Sequence, residues 1–188
     1  MQSPAPSTAA VRGIFRRFRR NRRGSAAVEF ALVAPVFFAL LFAIIETALM
    51  FFASQVLETI TQNSSRQIFT GQAQAAAYPD GAHFKNAVVC PLIPAIFSCP
   101  NIYVDVKSYP AFTNVVINSQ IAAGSFDTSS LSYSPGQSCD IVVARLFYQW
   151  PMFVTGLGFN ITNLNGNQRL LVATAAFRNE PYSGACAS

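Results

Sequence analysis

From Phe30 to Ile45 the chain runs for sixteen residues without a charged or polar side chain, and Thr47–Ala53 prolongs the run beyond Glu46. Phe30–Ala53 is 24 residues long. As a helix rising about 1.5 Å per residue it measures roughly 36 Å, more than the ~30 Å hydrocarbon core of a bilayer. No other stretch of the sequence is long enough to cross. A single membrane span over residues 30–53 is the first expectation.

Charge fixes the expected orientation. Residues 1–24 carry seven arginines (Arg12, Arg16, Arg17, Arg19, Arg20, Arg22 and Arg23) and no acid. The remaining six basic residues face all eight acids, so residues 25–188 are net −2 although the whole chain is +5. Lys and Arg within about 15–20 residues of a span stay on the cytoplasmic side. The N-terminus is therefore expected inside and everything beyond about residue 54 outside. The basic run reads as a topogenic signal, and a mildly acidic remainder argues against a general nucleic-acid binder.

A cleaved secretory signal would need small residues at −3 and −1 after a 7–15-residue apolar core. Cleavage after Ala53 would put Phe51 at −3, and cleavage after Ala48 would put Glu46 there. Neither suits, and the apolar run is too long for a twin-arginine signal.

Helical character is expected to continue past the span to about Gly71, with Gly71 and Pro79-Asp80-Gly81 as stops. Val56, Leu57, Ile60, Ser64 and Ile68 form an apolar stripe with polar residues between them. Beyond Ala82 the pattern changes to alternation. Asn101–Tyr109, Asp140–Trp150 and Arg169–Phe177 read as strands, and Phe112–Ile117 as a shorter one. The expected architecture is α+β: a leader over 1–24, a long helix over 25–71 and an exported head over 72–188. In the head, a small antiparallel sheet packs on the outer half of the helix.

All four cysteines, Cys90, Cys99, Cys139 and Cys186, fall in the expected exported part. An even count on the oxidising side favours two disulfides among three possible connectivities. Cys90–Cys99 with Cys139–Cys186 is the favoured pair, because the first closes a short loop. Zinc finds no C-x2-C spacing, and His83 is the only histidine. Neither G-x-S-x-G nor H-E-x-x-H is present, and Asp127-Thr-Ser129-Ser lacks the last serine of a D-x-S-x-S adhesion motif. No cofactor or small-molecule substrate is expected, and His83 reads as a loop residue. The composition fits a structural or interaction protein better than an enzyme.

The informative constellation is the junction Arg22-Arg23-Gly24-Ser25-Ala26-Ala27-Val28-Glu29-Phe30. A glycine separates the basic cluster from the apolar helix, and a carboxylate follows five residues later. A carboxylate near the start of a helix complements the macrodipole. It is costly in lipid unless it finds a partner or reaches the interface. Were the chain cut after Gly24, the new amine of Ser25 would lie about 6 Å from Glu29 along the axis. Glu46, about 31 Å from Ser25, is expected near the far interface, solvated by water. Ala27, Ala31, Pro35, Ala39, Ala43 and Thr47 recur every four residues, a spacing that lets membrane helices approach closely.

This junction resembles the processing site of type IV pilin-like proteins of the tight-adherence (Tad/Flp) branch. Gly24-Ser-Ala-Ala-Val-Glu-Phe-Ala-Leu-Val-Ala-Pro35 with Leu40-Leu-Phe-Ala-Ile-Ile-Glu46 is similar to the N-terminal signature of TadE-like minor pseudopilins. Tyr133-Ser-Pro-Gly136, Asp140-Ile-Val-Val, Tyr148-Gln-Trp-Pro151 and Phe177-Arg-Asn-Glu-Pro-Tyr182 resemble their C-terminal head. The resemblance implies cleavage between Gly24 and Ser25 by a prepilin peptidase, with Glu29 and Phe30 acting in helix docking. It also implies residence in the bacterial inner membrane, with other pilins, pseudopilins and the assembly platform as partners. An uncleaved signal-anchored scaffold, receptor or adhesin is the alternative reading of the same chain.

Overall fold

The computed structural model describes residues 24–154, 160–182, 184 and 186. The basic leader expected over 1–24 therefore lies outside the described residues except for Gly24. The chain falls into two units, Met1–Ile44 and Ile45–Ser188. Helix α1, Ser25–Phe69, contributes its first part to one unit and its second part to the other.

In the first unit the described chain is apolar helix. Pro35 lies inside it, and the helix continues on both sides. Phe30, Leu32, Val33, Val36, Phe37 and Leu40 are all exposed. Such a run has no core of its own to enter.

In the second unit α1 becomes one wall of a core. Glu46, Met50, Ala53, Leu57, Ile60, Ser64 and Ile68 are buried at spacings of three and four, together with Thr61 and Ser65. That spacing holds one face of a 3.6-residue helix against a partner. The hydroxyls of Thr61 and Ser64 donate to the carbonyls of Leu57 and Thr61, so two buried polar groups are satisfied within the helix. The stripe read from sequence started too late. Met50 and Ala53, which lie inside the expected span, are buried in the core of the head. A span and a core helix are both apolar, so hydropathy could not separate the two roles.

The helix stops at Phe69 for a local reason and a long-range one. Gly71 has φ +77°, a left-handed conformation that closes the helix end cheaply only for glycine. A Cβ there would also lie 2.5 Å from the ring of Tyr182. The Glu180 amide donates to the Phe69 carbonyl at 3.0 Å, so the far end of the chain caps this helix. Two single-turn helices follow, α2 (Gln72–Ala75) and α3 (Gly81–Phe84). Asp80 caps α3, its Oδ1 accepting from the amides of Ala82 and His83. These bonds hold the exposed Asp80 carboxyl below its ordinary value, the His83 amide being the largest cause. His83 is thus exposed on a short helix rather than in a loop.

Strands β1 (Ile102–Tyr109), β4 (Ile141–Pro151) and β5 (Gln168–Arg178) form an antiparallel sheet in the order β1-β4-β5. The short pair β2 (Ile121–Ala122) and β3 (Ser125–Phe126) makes a separate hairpin. Alternation sends Ile102, Val104 and Val106, then Val142, Ala144, Leu146 and Tyr148, then Leu171 and Ala173, into one cluster with Met50, Ala53, Leu57, Ile60 and Ile68. The fold is a long apolar N-terminal helix followed by a small antiparallel-sheet domain, α+β.

Phe112–Ile117 is not a strand. Phe112–Asn114 is a single 3-10 turn, and Val116 and Ile117 are exposed. Pro110 supplies no amide for a ladder at its start, and the Asn118 carbonyl just beyond is taken by Arg145. Residues of the long β1–β4 connection instead cover the sheet's other face. Phe126 packs against Tyr103 and Phe147 with ring centroids 4.9 and 5.4 Å away. Consequently Ile141–Tyr148 of β4 is buried throughout.

That covered face holds an ion pair. Asp105 and Arg145 are directly opposed in the β1–β4 register. Asp105 Oδ2 accepts from Arg145 Nε at 3.0 Å and Nη2 at 2.6 Å. The Ser132 amide donates to Asp105 Oδ1, and Arg145 Nη1 donates to the Asn118 carbonyl. Both side chains are buried, and the guanidinium lies 5.2 Å from the Phe147 ring centroid. Removing one partner strands the other in low dielectric, typically at about 3–5 kcal/mol, whereas replacing both with apolar residues of like size is tolerated better. Arg145→Ala should therefore lower stability by about 3–5 kcal/mol in urea unfolding of the full chain followed by Trp150 fluorescence. The double variant Asp105→Leu/Arg145→Met should lose less than either single replacement to Ala.

Candidate functional site

Ser25 opens α1, and Glu29 lies just past the first turn, which contains no acidic residue. The carboxylate is thus slightly further in than a first-turn macrodipole partner. Gly24, Ser25, Glu29 and Phe30 are all exposed. A Cβ built on Gly24 meets nothing within 4 Å, and its φ lies outside the left-handed region. Neither backbone conformation nor packing requires glycine at this position. Gly71, by contrast, is demanded on both counts.

The second acid of α1 departs from the sequence expectation. Glu46 is 8% exposed rather than solvated. Its carboxylate accepts the backbone amides of Phe153 and Val154, the latter at 2.9 Å. Two amide donors give the carboxylate charge-assisted hydrogen bonds that a helix-only reading cannot foresee. β4 ends at Pro151, and the chain leaving it passes α1 at Glu46. Sequence could place the strand end but not its height on the helix.

Cys90 is bonded to Cys99 and Cys139 to Cys186, across sequence separations of 9 and 47. The first fastens the turn between the π-helical turn Lys85–Val89 and β1. The second ties the chain's C-terminal residues to the turn before β4, where Arg178 Nε also donates to the Cys139 carbonyl. Asn179 Nδ2 donates to the carbonyls of Pro135 and Gln137 at the same corner. Asp127 closes its own turn by accepting the Ser129 amide, so this carboxylate serves the loop. Among the described residues no three His, Cys, Asp or Glu side chains gather as a metal site.

One open groove lies beside α3 and β1, lined by Pro79, Lys85, Tyr103, Val104 and Tyr133, with a volume of about 350 Å³. Burial, and secondarily Tyr78, pushes the Tyr133 hydroxyl up to about 12. That group stays protonated across the physiological range, so it is no candidate base.

The described chain thus combines a helix long and apolar enough to cross a membrane with a disulfide-fastened α+β head. Residues 24–66, from Gly24 into the core-forming half of α1, match the family model of TadE-like proteins. No curated protein and no solved structure gives a significant match.

The two disulfides make a ranked prediction. Loop-closure entropy grows with loop length, so losing Cys139–Cys186 should cost about 1.5 kcal/mol more than losing Cys90–Cys99, within the usual ~2–4 kcal/mol for either. Thermal unfolding of the paired Cys→Ser variants should give the larger fall in Tm for Cys139→Ser/Cys186→Ser.

Proposed function

We propose that the chain is a TadE-like minor pseudopilin acting in assembly of a tight-adherence pilus. The family match associates it with Tad pilus proteins, and its apolar helix suggests a membrane anchor. In this reading the precursor is held in the inner membrane by residues 30–53, N-terminus inside and head in the periplasm. A prepilin peptidase then removes residues 1–24 with all seven arginines.

The observation that carries the proposal is Gly24. It sits between the arginine run and the first residue of α1, in a place where the fold makes no use of a glycine. A protease pocket that must approach the backbone closely does make use of one. After cleavage the Ser25 amine would provide the cation nearest to Glu29 in the sequence. A carboxylate entering a bundle of apolar helices is tolerated when paired, so Glu29 becomes fit for helix docking only in the mature chain. Other pilins, pseudopilins and the assembly platform are the proposed partners.

Two variants of the full chain test this in one experiment. Gly24→Leu should accumulate as a precursor about 24 residues longer. Glu29→Ala should be cut and remain in the membrane, but lose co-purification with assembly partners and pilus formation. Identical gel mobility with and without the peptidase would refute processing. Normal piliation by Glu29→Ala would refute the docking role.

A further inference from the structure

Met50 and Ala53 pack into the head, yet Leu49, Phe51 and Phe52 on the same turns are 53%, 61% and 56% exposed. Over residues 46–53, α1 therefore has one face against the head and another still open and apolar. Phe52 lies six residues beyond Glu46, about 9 Å further along the axis. The part of the head bonded to Glu46 thus overlaps the exposed apolar band instead of beginning beyond it. That part is the chain leaving β4 at Pro151, where Phe153 is 85% exposed.

Non-helical backbone is tolerated at membrane depth only where its polar groups are satisfied within the protein. Pro151 has no amide hydrogen. Met152 donates to the Asn167 carbonyl at 2.8 Å, and Phe153 and Val154 donate to Glu46. From Pro151 to Val154 no amide is left over, and none of the four side chains is charged or polar. The same bonds answer the other difficulty, a carboxylate at the level of an apolar band. The Glu46 carboxylate and the Phe153 and Val154 amides satisfy one another.

We propose that Phe153 and Val154 form a second membrane contact, in which the head dips into the lipid leaflet on its own side and Glu46 holds it there. This rests on the membrane reading of α1. The partner is the bilayer: the side chains from Pro151 to Val154 are uncharged, and they are held beside the helix turns on which Leu49, Phe51 and Phe52 are exposed. The head is then fixed relative to the membrane by two points, and Glu46 belongs to the head rather than to helix docking.

Trp150 is the only tryptophan, so a Trp150→Phe background isolates new probes. Full-length Phe153→Trp, Phe52→Trp and Phe112→Trp proteins would be reconstituted into phosphatidylcholine vesicles with and without acyl-chain bromines. Phe112 is also exposed but follows Tyr109, which pairs with Ile141 at the opposite end of β4 from Pro151. Bromines should quench Phe153→Trp at least half as strongly as Phe52→Trp, more from positions near the headgroup than deep ones, and leave Phe112→Trp unchanged. Adding Glu46→Ala should reduce quenching at 153 at least twofold while quenching at 52 persists. An unquenched Phe153→Trp beside a quenched Phe52→Trp overturns the second contact and leaves the anchor standing. Absence of quenching at both positions overturns the anchor and the contact together. Quenching at 153 that ignores Glu46→Ala overturns the role given to Glu46.

Discussion

The structure depends on the packing of Met50, Ala53, Leu57, Ile60 and Ile68 against the inward residues of β1, β4 and β5. A three-stranded sheet has two faces to cover and little mass to cover them with. The β1–β4 connection closes one face with Phe126, Ile121 and Leu131. The other is closed by α1, the same helix whose earlier residues from Phe30 to Ile45 are all apolar and mostly exposed. The head thus takes one wall of its core from the second part of α1.

Polar groups determine where this packing starts and stops. At one end Glu46 receives two amides from the chain leaving β4. At the other, the Phe69 carbonyl receives the Glu180 amide, and Gly71 leaves room for the Tyr182 ring. Phe69 and Phe177 meet edge to face with centroids 6.0 Å apart. The helix is therefore clamped at both ends of its buried half by segments that flank β4 and β5. Such long-range ties fix the rotation of a helix about its axis, which an apolar stripe alone leaves loose.

The parts of this arrangement that were legible in the sequence are those governed by local periodicity. The long helix, the three main strands and the α+β class follow from runs of apolar residues and alternation around Val104, Leu146 and Leu171. The observed ends differ from the expected ones by one or two residues, as fraying and turn chemistry allow. What failed required knowing what lies opposite. Val116 and Ile117 look like strand residues but follow a single 3-10 turn and pair with none of the described strands. Met50 looks like a lipid-facing residue because burial in protein and burial in lipid select the same side chains. Glu46 looks like an interfacial acid because its partners are backbone amides, which carry no sequence signature. Gly24 and Glu29 stood out through a junction motif, and the structure adds that the fold itself has no need of the glycine.

Hydrogen exchange on the full-length protein in lipid nanodiscs tests most directly whether the buried part of α1 and the sheet are one cooperative body. Amides of Leu57–Ile68 should open with the same free energy as those of Val142–Tyr148, because unfolding either exposes the same core. Destabilisation by urea should lower both together. Exchange of the helix amides at much lower free energy than β4, with the sheet still protected, would show a head that stands without its helix and would contradict the account.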